Sequence, residues 1–215
     1  MKIEIRNDSV EISGYVNAIE RESKVLHTRE GKPFVEKISS GAFRRSLARN
    51  DNVRLLLNHD KSRQLGSTKE NLTLTEDNIG LRAVATVTDR DVIDKARKGQ
   101  LSGWSFGFIP LRDTKTSDNE LEHRSVSELD LLEVSILDNT KVPAYDGTLI
   151  EARELDSEVD LLEIRVASDD VETVDNSTPE NEEQDTQEQN QQDNVKKENL
   201  NYEFSNRYYK AKIKG

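Results

Sequence analysis

Apolar residues alternate with polar ones at Ile3 and Ile5, again at Val10 and Ile12, and on through Gly14-Tyr15-Val16. A period of two marks a half-buried β-strand, so the chain opens on strands. Ser39 and Ser40 precede Gly41-Ala42-Phe43-Arg44-Arg45-Ser46-Leu47, where Phe43 and Leu47 share one helical face, predicting a short helix with a serine cap. Val53 to Leu57 predicts an apolar strand that ends at Asn58-His59-Asp60. Between Asn71 and Val87, Leu72 and Leu74 alternate, Asp77-Asn78 marks a turn, and Leu81, Ala83, Ala85 and Val87 alternate again, which predicts a hairpin. Asp89 to Lys98 reads as a helix capped by Asp89, with Val92, Ile93 and Ala96 on its apolar side and Gly99 at its end. Leu101–Leu111 and Leu129–Leu137 predict strands, and the polar stretch Arg112–Ser127 between them predicts a loop.

Many strands with few short helices argue for an α+β, barrel-like domain rather than a doubly wound parallel sheet. The character changes after Glu151. Ala152, Leu155, Val159, Leu162 and Val166 are spaced three and four apart, predicting a short amphipathic helix over residues 153–166. Residues 167–200 are rich in Asp, Glu, Asn and Gln and have little to bury, so a disordered acidic linker is expected. Residues 201–215 recover Tyr202, Phe204, Tyr208 and Tyr209 among basic residues, a basic aromatic tail that reads equally as a docking peptide or as a frayed end.

Charge sharpens this division. The chain carries a net −11, while Leu155–Leu200 alone holds 15 acidic and 3 basic residues, so the body is close to neutral. A neutral body gives no electrostatic reason to expect nucleic-acid binding, which relies on a basic face. The absence of cysteine excludes disulfides, thiolate metal sites and a cysteine nucleophile. No run approaches the roughly 20 apolar residues of a membrane span, and no membrane partner is expected.

A hydrolase without cysteine and without a metal cluster usually needs a hydroxyl nucleophile and a base. The histidines are His27, His59 and His123. His59 stands where an apolar strand meets a polar turn, a place from which an imidazole can face a cleft; position alone favours a histidine that merely ends a strand. Ser105 lies in Gly103-Trp104-Ser105-Phe106-Gly107-Phe108. Strand alternation puts Trp104, Phe106 and Phe108 on one face and Ser105 with Gly107 on the other. That small face would let a substrate backbone approach, and it also fits an ordinary strand. The segment is not a nucleophile elbow, because it continues as a strand. Ser102, on the opposite face, is a competitor. Glu133 sits inside the apolar run Leu131-Leu132-Glu133-Val134-Ser135, where a carboxylate needs a partner unless it faces solvent. Orienting an imidazole would supply one. A metal site built on His59, Asp60 and His123 is a weak rival, since no closely spaced ligand pair starts it.

Four features stand in a telling order: Ser40-Gly41-Ala42-Phe43, then Asn58-His59-Asp60 with Leu65-Gly66, then Trp104-Ser105-Phe106-Gly107-Phe108, then Leu132-Glu133-Val134-Ser135 followed by Pro143-Ala144-Tyr145. Over about residues 10 to 152 the chain resembles the prohead (procapsid) maturation serine proteases of tailed bacteriophages. The resemblance implies a protease domain over 1–152, with a β-barrel and surrounding short helices related to the herpesvirus assembly protease. It implies His59 as general base, Ser105 as nucleophile and Glu133 as third member. His123 is the alternative, because the herpesvirus enzymes use a second histidine. It further implies no cofactor, and as partners the major capsid protein with its scaffold region and other copies of the chain. The site of action would be the assembling procapsid in the host cytoplasm, with self-cleavage expected. A non-catalytic scaffold or assembly factor that keeps the fold is the alternative function.

Overall fold

The N-terminal alternation becomes a paired ladder. β1 (Lys2–Ile5) and β2 (Val10–Ala18) run antiparallel with Ile3 opposite Ile12 and Ile5 opposite Val10, all four buried. In the computed structural model, which describes residues 1–28, 30–118, 121–139, 163–167 and 170–178, these strands begin one of two sheets. The predicted hairpin is present as β7 (Leu72–Glu76) and β8 (Gly80–Val87), and β8 pairs with β2. The helix α2 (Arg90–Arg97) starts as predicted, with the Asp89 carboxylate accepting from the Val92 N–H at 3.1 Å.

The other helix, α1 (Ala42–Arg49), is capped differently from the serine expectation. Gly41 occupies the N-cap at φ 83° without a side-chain cap of its own. Glu76, at the end of β7, accepts instead from the N–H groups of Gly41 and Arg44. A carboxylate there satisfies two free helix donors and opposes the positive end of the helix dipole.

The second sheet is built on a long hairpin, β9 (Leu101–Asp118) and β10 (Leu121–Asp138). The loop expected over Arg112–Ser127 is therefore mostly strand. Its arm is largely solvated, so no apolar period reveals it. Cross-strand pairs such as Lys115–Glu122 at 2.9 Å and Arg112–Glu128 at 3.5 Å support the ladder instead.

The free edge of β10 takes two successive parallel partners. β4 (Pro33–Ile38), itself paired with the short β3 (Leu26–His27), lies beside Glu122–Val126, and β5 (Arg54–Leu57) lies beside Glu133–Ile136. In the gap between them α1 supplies hydrogen bonds from side chains. Arg45 donates to the Ser127 carbonyl (2.8 Å) and Arg49 to that of Leu129 (2.8 Å). Ser46 Oγ accepts from the Leu131 N–H (2.7 Å), and Asn50 donates to the Leu131 carbonyl (3.0 Å). Buried backbone groups need such partners. β6 (Asp60–Ser67) completes this side by pairing with β5.

Among the described residues both sheets stay open, so the expected closed barrel is not formed. β10 divides its edge between two short strands, and the sheet splits there rather than curling round to meet its first strand. Trp104, Phe106 and Phe108 enter the core as their alternation predicted, with Phe106 stacked on Phe108 at 5.3 Å and Phe43 edge-on at 5.5 Å.

The chain beyond 152 differs from expectation at two places. Glu163–Ala167, at the end of the predicted amphipathic helix, is a strand, β11, on the edge of β9. A stripe of two heptads is marginal as a helix, whereas a sheet edge pairs the same backbone directly. Glu172–Asp175, inside the predicted disordered linker, is a strand, β12, running parallel to β1. Its four side chains are exposed, so main-chain pairing holds it, and composition carries no trace of that. Residues 153–162, the linker from 179 to 200 and the tail over 201–215 lie outside the described residues.

Candidate active site

Asn58 and His59 are the central residues of the tight turn from β5 to β6, with Leu57 opposite Asp60. Both have left-handed backbones, φ 54° and 59°. That geometry suits a two-residue hairpin turn, and it strains a non-glycine residue by roughly 1–2 kcal/mol. Three hydrogen bonds tie the turn to the end of β10. The Asn58 N–H donates to the Ile136 carbonyl (2.9 Å), the Asp138 N–H to Asn58 Oδ1 (3.0 Å), and the His59 N–H to Ser135 Oγ (3.1 Å). The imidazole is thereby held over β9 and β10.

Register places the other groups beneath it. Ser105 on β9 is opposite Ser135 on β10, and Gly107 is opposite Glu133. A register shift between Leu131 and Glu133 re-aims the strand just before the carboxylate, as bulges do. Gly107 makes room: a Cβ there would stand 2.5 Å from Glu133 Oε1.

The result is a continuous chain of contacts. His59 Nε2 is 2.6 Å from Ser105 Oγ, and His59 Nδ1 is 2.6 Å from Glu133 Oε1. The second carboxylate oxygen accepts from Ser135 Oγ at 2.7 Å. Glu133 is only 3% exposed, so its charge depends on these donors. With Nδ1 protonated toward Glu133, Nε2 is the acceptor for the serine proton whenever the Arg165 carbonyl does not take it. A hydroxyl beside such a base can be activated as a nucleophile.

Thus His59, Ser105 and Glu133 come together. Sequence reasoning gave no role to Ser135, which binds both Glu133 and the His59 backbone. Its signal was the Glu133-x-Ser135 spacing, which places both residues on one strand face. His123 is elsewhere, paired with Glu22 at 2.8 Å, and ten strand residues put it roughly 30 Å along β10 from Glu133. Ser102, half-buried, stands three residues before Ser105 and so faces away from it. Among the described residues no three His, Asp or Glu side chains gather where they could hold a metal ion, and no helix is long and apolar enough to cross a membrane.

β11 covers the serine. The Arg165 carbonyl lies 2.6 Å from Ser105 Oγ, and the Ser105 side chain is fully buried. Nearby, Arg124 on β10 contacts Glu36, Glu163 and Asp113. Burial works against its charge, but hydrogen bonding to Glu163 and the charges of Glu163 and Glu36 outweigh it and hold the guanidinium above its usual range.

The family model for the caudovirus prohead serine protease matches residues 1–162 of the chain. No curated protein and no solved structure matches it.

Proposed function

The chain belongs to the caudovirus prohead serine protease family, and from that premise we propose that Ser105, His59 and Glu133 are its catalytic residues. The observation that carries the proposal is the unbroken Ser105–His59–Glu133 contact chain, both links at 2.6 Å. Ser105 Oγ attacks the scissile carbonyl carbon while His59 Nε2 takes the hydroxyl proton. Collapse of the tetrahedral intermediate breaks the C–N bond, and His59 returns that proton to the leaving amine. Water then repeats the cycle on the acyl-enzyme and frees the acid. Glu133 fixes the imidazole tautomer and balances the imidazolium, and Ser135 positions Glu133.

The substrate in this reading is the scaffold region of the capsid protein inside the assembling procapsid, with the chain itself as a second substrate. The tie to the herpesvirus assembly protease rests on the resemblance of motifs. The third residue here is a carboxylate rather than a second histidine.

Co-expression with the capsid protein tests the assignment. Wild-type enzyme shortens the capsid protein, and Ser105→Ala and His59→Ala each stop it, with turnover down by about 10⁴-fold or more. Processing that continues in either folded variant removes the residue from the mechanism.

A further inference from the structure

The edge of β9 that carries Ser105 is filled by the chain itself. β11 runs antiparallel along it, Glu163 opposite Phe108, Arg165 opposite Phe106 and Val166 opposite Ser105. An extended segment added to a sheet edge is a general mode of peptide recognition: main-chain pairing gives affinity, and alternate side chains give specificity. The residue whose carbonyl faces the nucleophile is the one that precedes a scissile bond. In β11 that residue is Arg165.

Arg165 reaches a built partner. Its Nε and Nη2 donate to the two oxygens of Glu36 on β4, at 2.9 and 3.0 Å. Its guanidinium also lies 5.5 Å from the centre of the Phe108 ring. Glu36 is 4% exposed. A planar fork of this kind fits a guanidinium better than any other side chain. Apart from β11, Arg124 is left facing both Glu36 and Asp113. That is one cation against two carboxylates, so the cleft keeps an unbalanced negative charge where the Arg165 side chain sits.

Resting on the catalytic reading above, we infer that the Trp104–Phe108 edge of β9 is the substrate cleft, that it selects an extended peptide with Arg or Lys just before the scissile bond, and that Glu36 is the specificity determinant. β11 occupies this cleft as an intramolecular substrate mimic. It is held unreactive because the oxygen of Arg165, not its carbon, faces Ser105 Oγ. The serine has one proton, and donating it to Arg165 withholds it from His59.

The test uses the full-length chain and acetyl-Glu-Ile-Arg-aminomethylcoumarin, which copies Glu163-Ile164-Arg165, with versions carrying Lys, Gln or Leu in place of Arg. Arg and Lys peptides are expected to be cleaved about 100-fold better in kcat/KM than the Gln peptide, as for a site built around a polar partner. Glu36→Gln should reduce that preference at least tenfold while hydrolysis of the Gln peptide persists. Arg165→Ala, which removes the guanidinium from the cleft and leaves Glu36 in place for a substrate, should speed cleavage of the Arg peptide tenfold or more, and it decides the matter should Glu36→Gln not fold. Equal rates on Arg and Gln peptides, an unchanged preference in folded Glu36→Gln, or no acceleration in Arg165→Ala would each overturn the inference. So would failure of both wild type and Arg165→Ala to cleave any of the peptides. Ser105→Ala separates the two levels. If it hydrolyses the Arg peptide as wild type does, the catalytic assignment is wrong; if it is inactive while Arg and Gln peptides are cut alike by wild type, only the cleft assignment fails.

Discussion

Gly107→Ala is a one-carbon change aimed at the carboxylate behind His59. Gly107 has no positive φ, so alanine fits the backbone of β9. The added Cβ would stand 2.5 Å from Glu133 Oε1, 3.2 Å from Cδ and 3.3 Å from Cγ. Relief requires the carboxylate oxygen to recede by roughly 1 Å, toward ordinary contact distance. The oxygen displaced is the one that stands 2.6 Å from His59 Nδ1, so the geometry of that contact is expected to be lost. A hydrogen bond to a charged group is worth about 1.5–3 kcal/mol, and a 1 Å misplacement at a reacting centre lowers rate by about 100-fold. The two routes agree on a fall in kcat near 100-fold, with KM little changed. Steady-state kinetics with a thermal melt would show it. The decisive comparison is the double variant with Glu133→Ala. Without the carboxylate the new methyl has nothing to strike, so Gly107→Ala should do no further harm in that background. Wild-type kcat in Gly107→Ala, or an equal additional loss in the Glu133→Ala background, would refute this account of why a glycine stands there.

Other perturbations separate the site from its support. Ser135→Ala removes a donor to buried Glu133 and the acceptor for the His59 N–H; kcat should fall about 10- to 100-fold, and stability by about 1–3 kcal/mol in a denaturant titration. Ser46→Ala leaves the buried Leu131 N–H without its 2.7 Å acceptor, so a similar loss of about 1–3 kcal/mol is expected with turnover per folded molecule unchanged. Asp77 is held below its usual range first by the Tyr15 hydroxyl and then by the Ile79 and Gly80 N–H groups. A depressed carboxylate stabilises above its unfolded range and loses that contribution as pH falls through the folded value. Asp77→Asn should therefore flatten the decline in melting temperature below about pH 4, while an unchanged acid limb would show that Asp77 carries none of it.

How far the sequence could be read follows from where the physics is local. Alternation at Ile3, Ile5, Val10 and Ile12 survives as a buried strand pair because one face of each strand meets the core. The Asp89 cap was legible because donor and acceptor lie three residues apart. The cap of α1 was not, because Glu76 comes from another strand and is 35 residues from Gly41. The arm of β9 and β10 was missed for a related reason: lined mostly by polar and charged side chains, it leaves no apolar period to read. β11 and β12 were missed because they are held by edges that other segments provide.

The site divides along the same line. Ser105, His59 and Glu133 each stand in a local pattern that marks them as candidates, yet nothing local says that they meet. Their meeting depends on four non-local conditions: Ser105 opposite Ser135, Glu133 opposite Gly107, β5 parallel to β10, and a turn at Asn58-His59 pinned to Ile136 and Asp138. A slip of one residue in the β9–β10 register would turn Glu133 to the opposite face and leave His59 without its carboxylate. The register shift beside Glu133 and the missing side chain at Gly107 are thus part of the geometry of the proposed site. That is why the strained turn is tolerated: the bonds that over-determine it come from the same strand that presents Glu133, so turn and carboxylate are placed together.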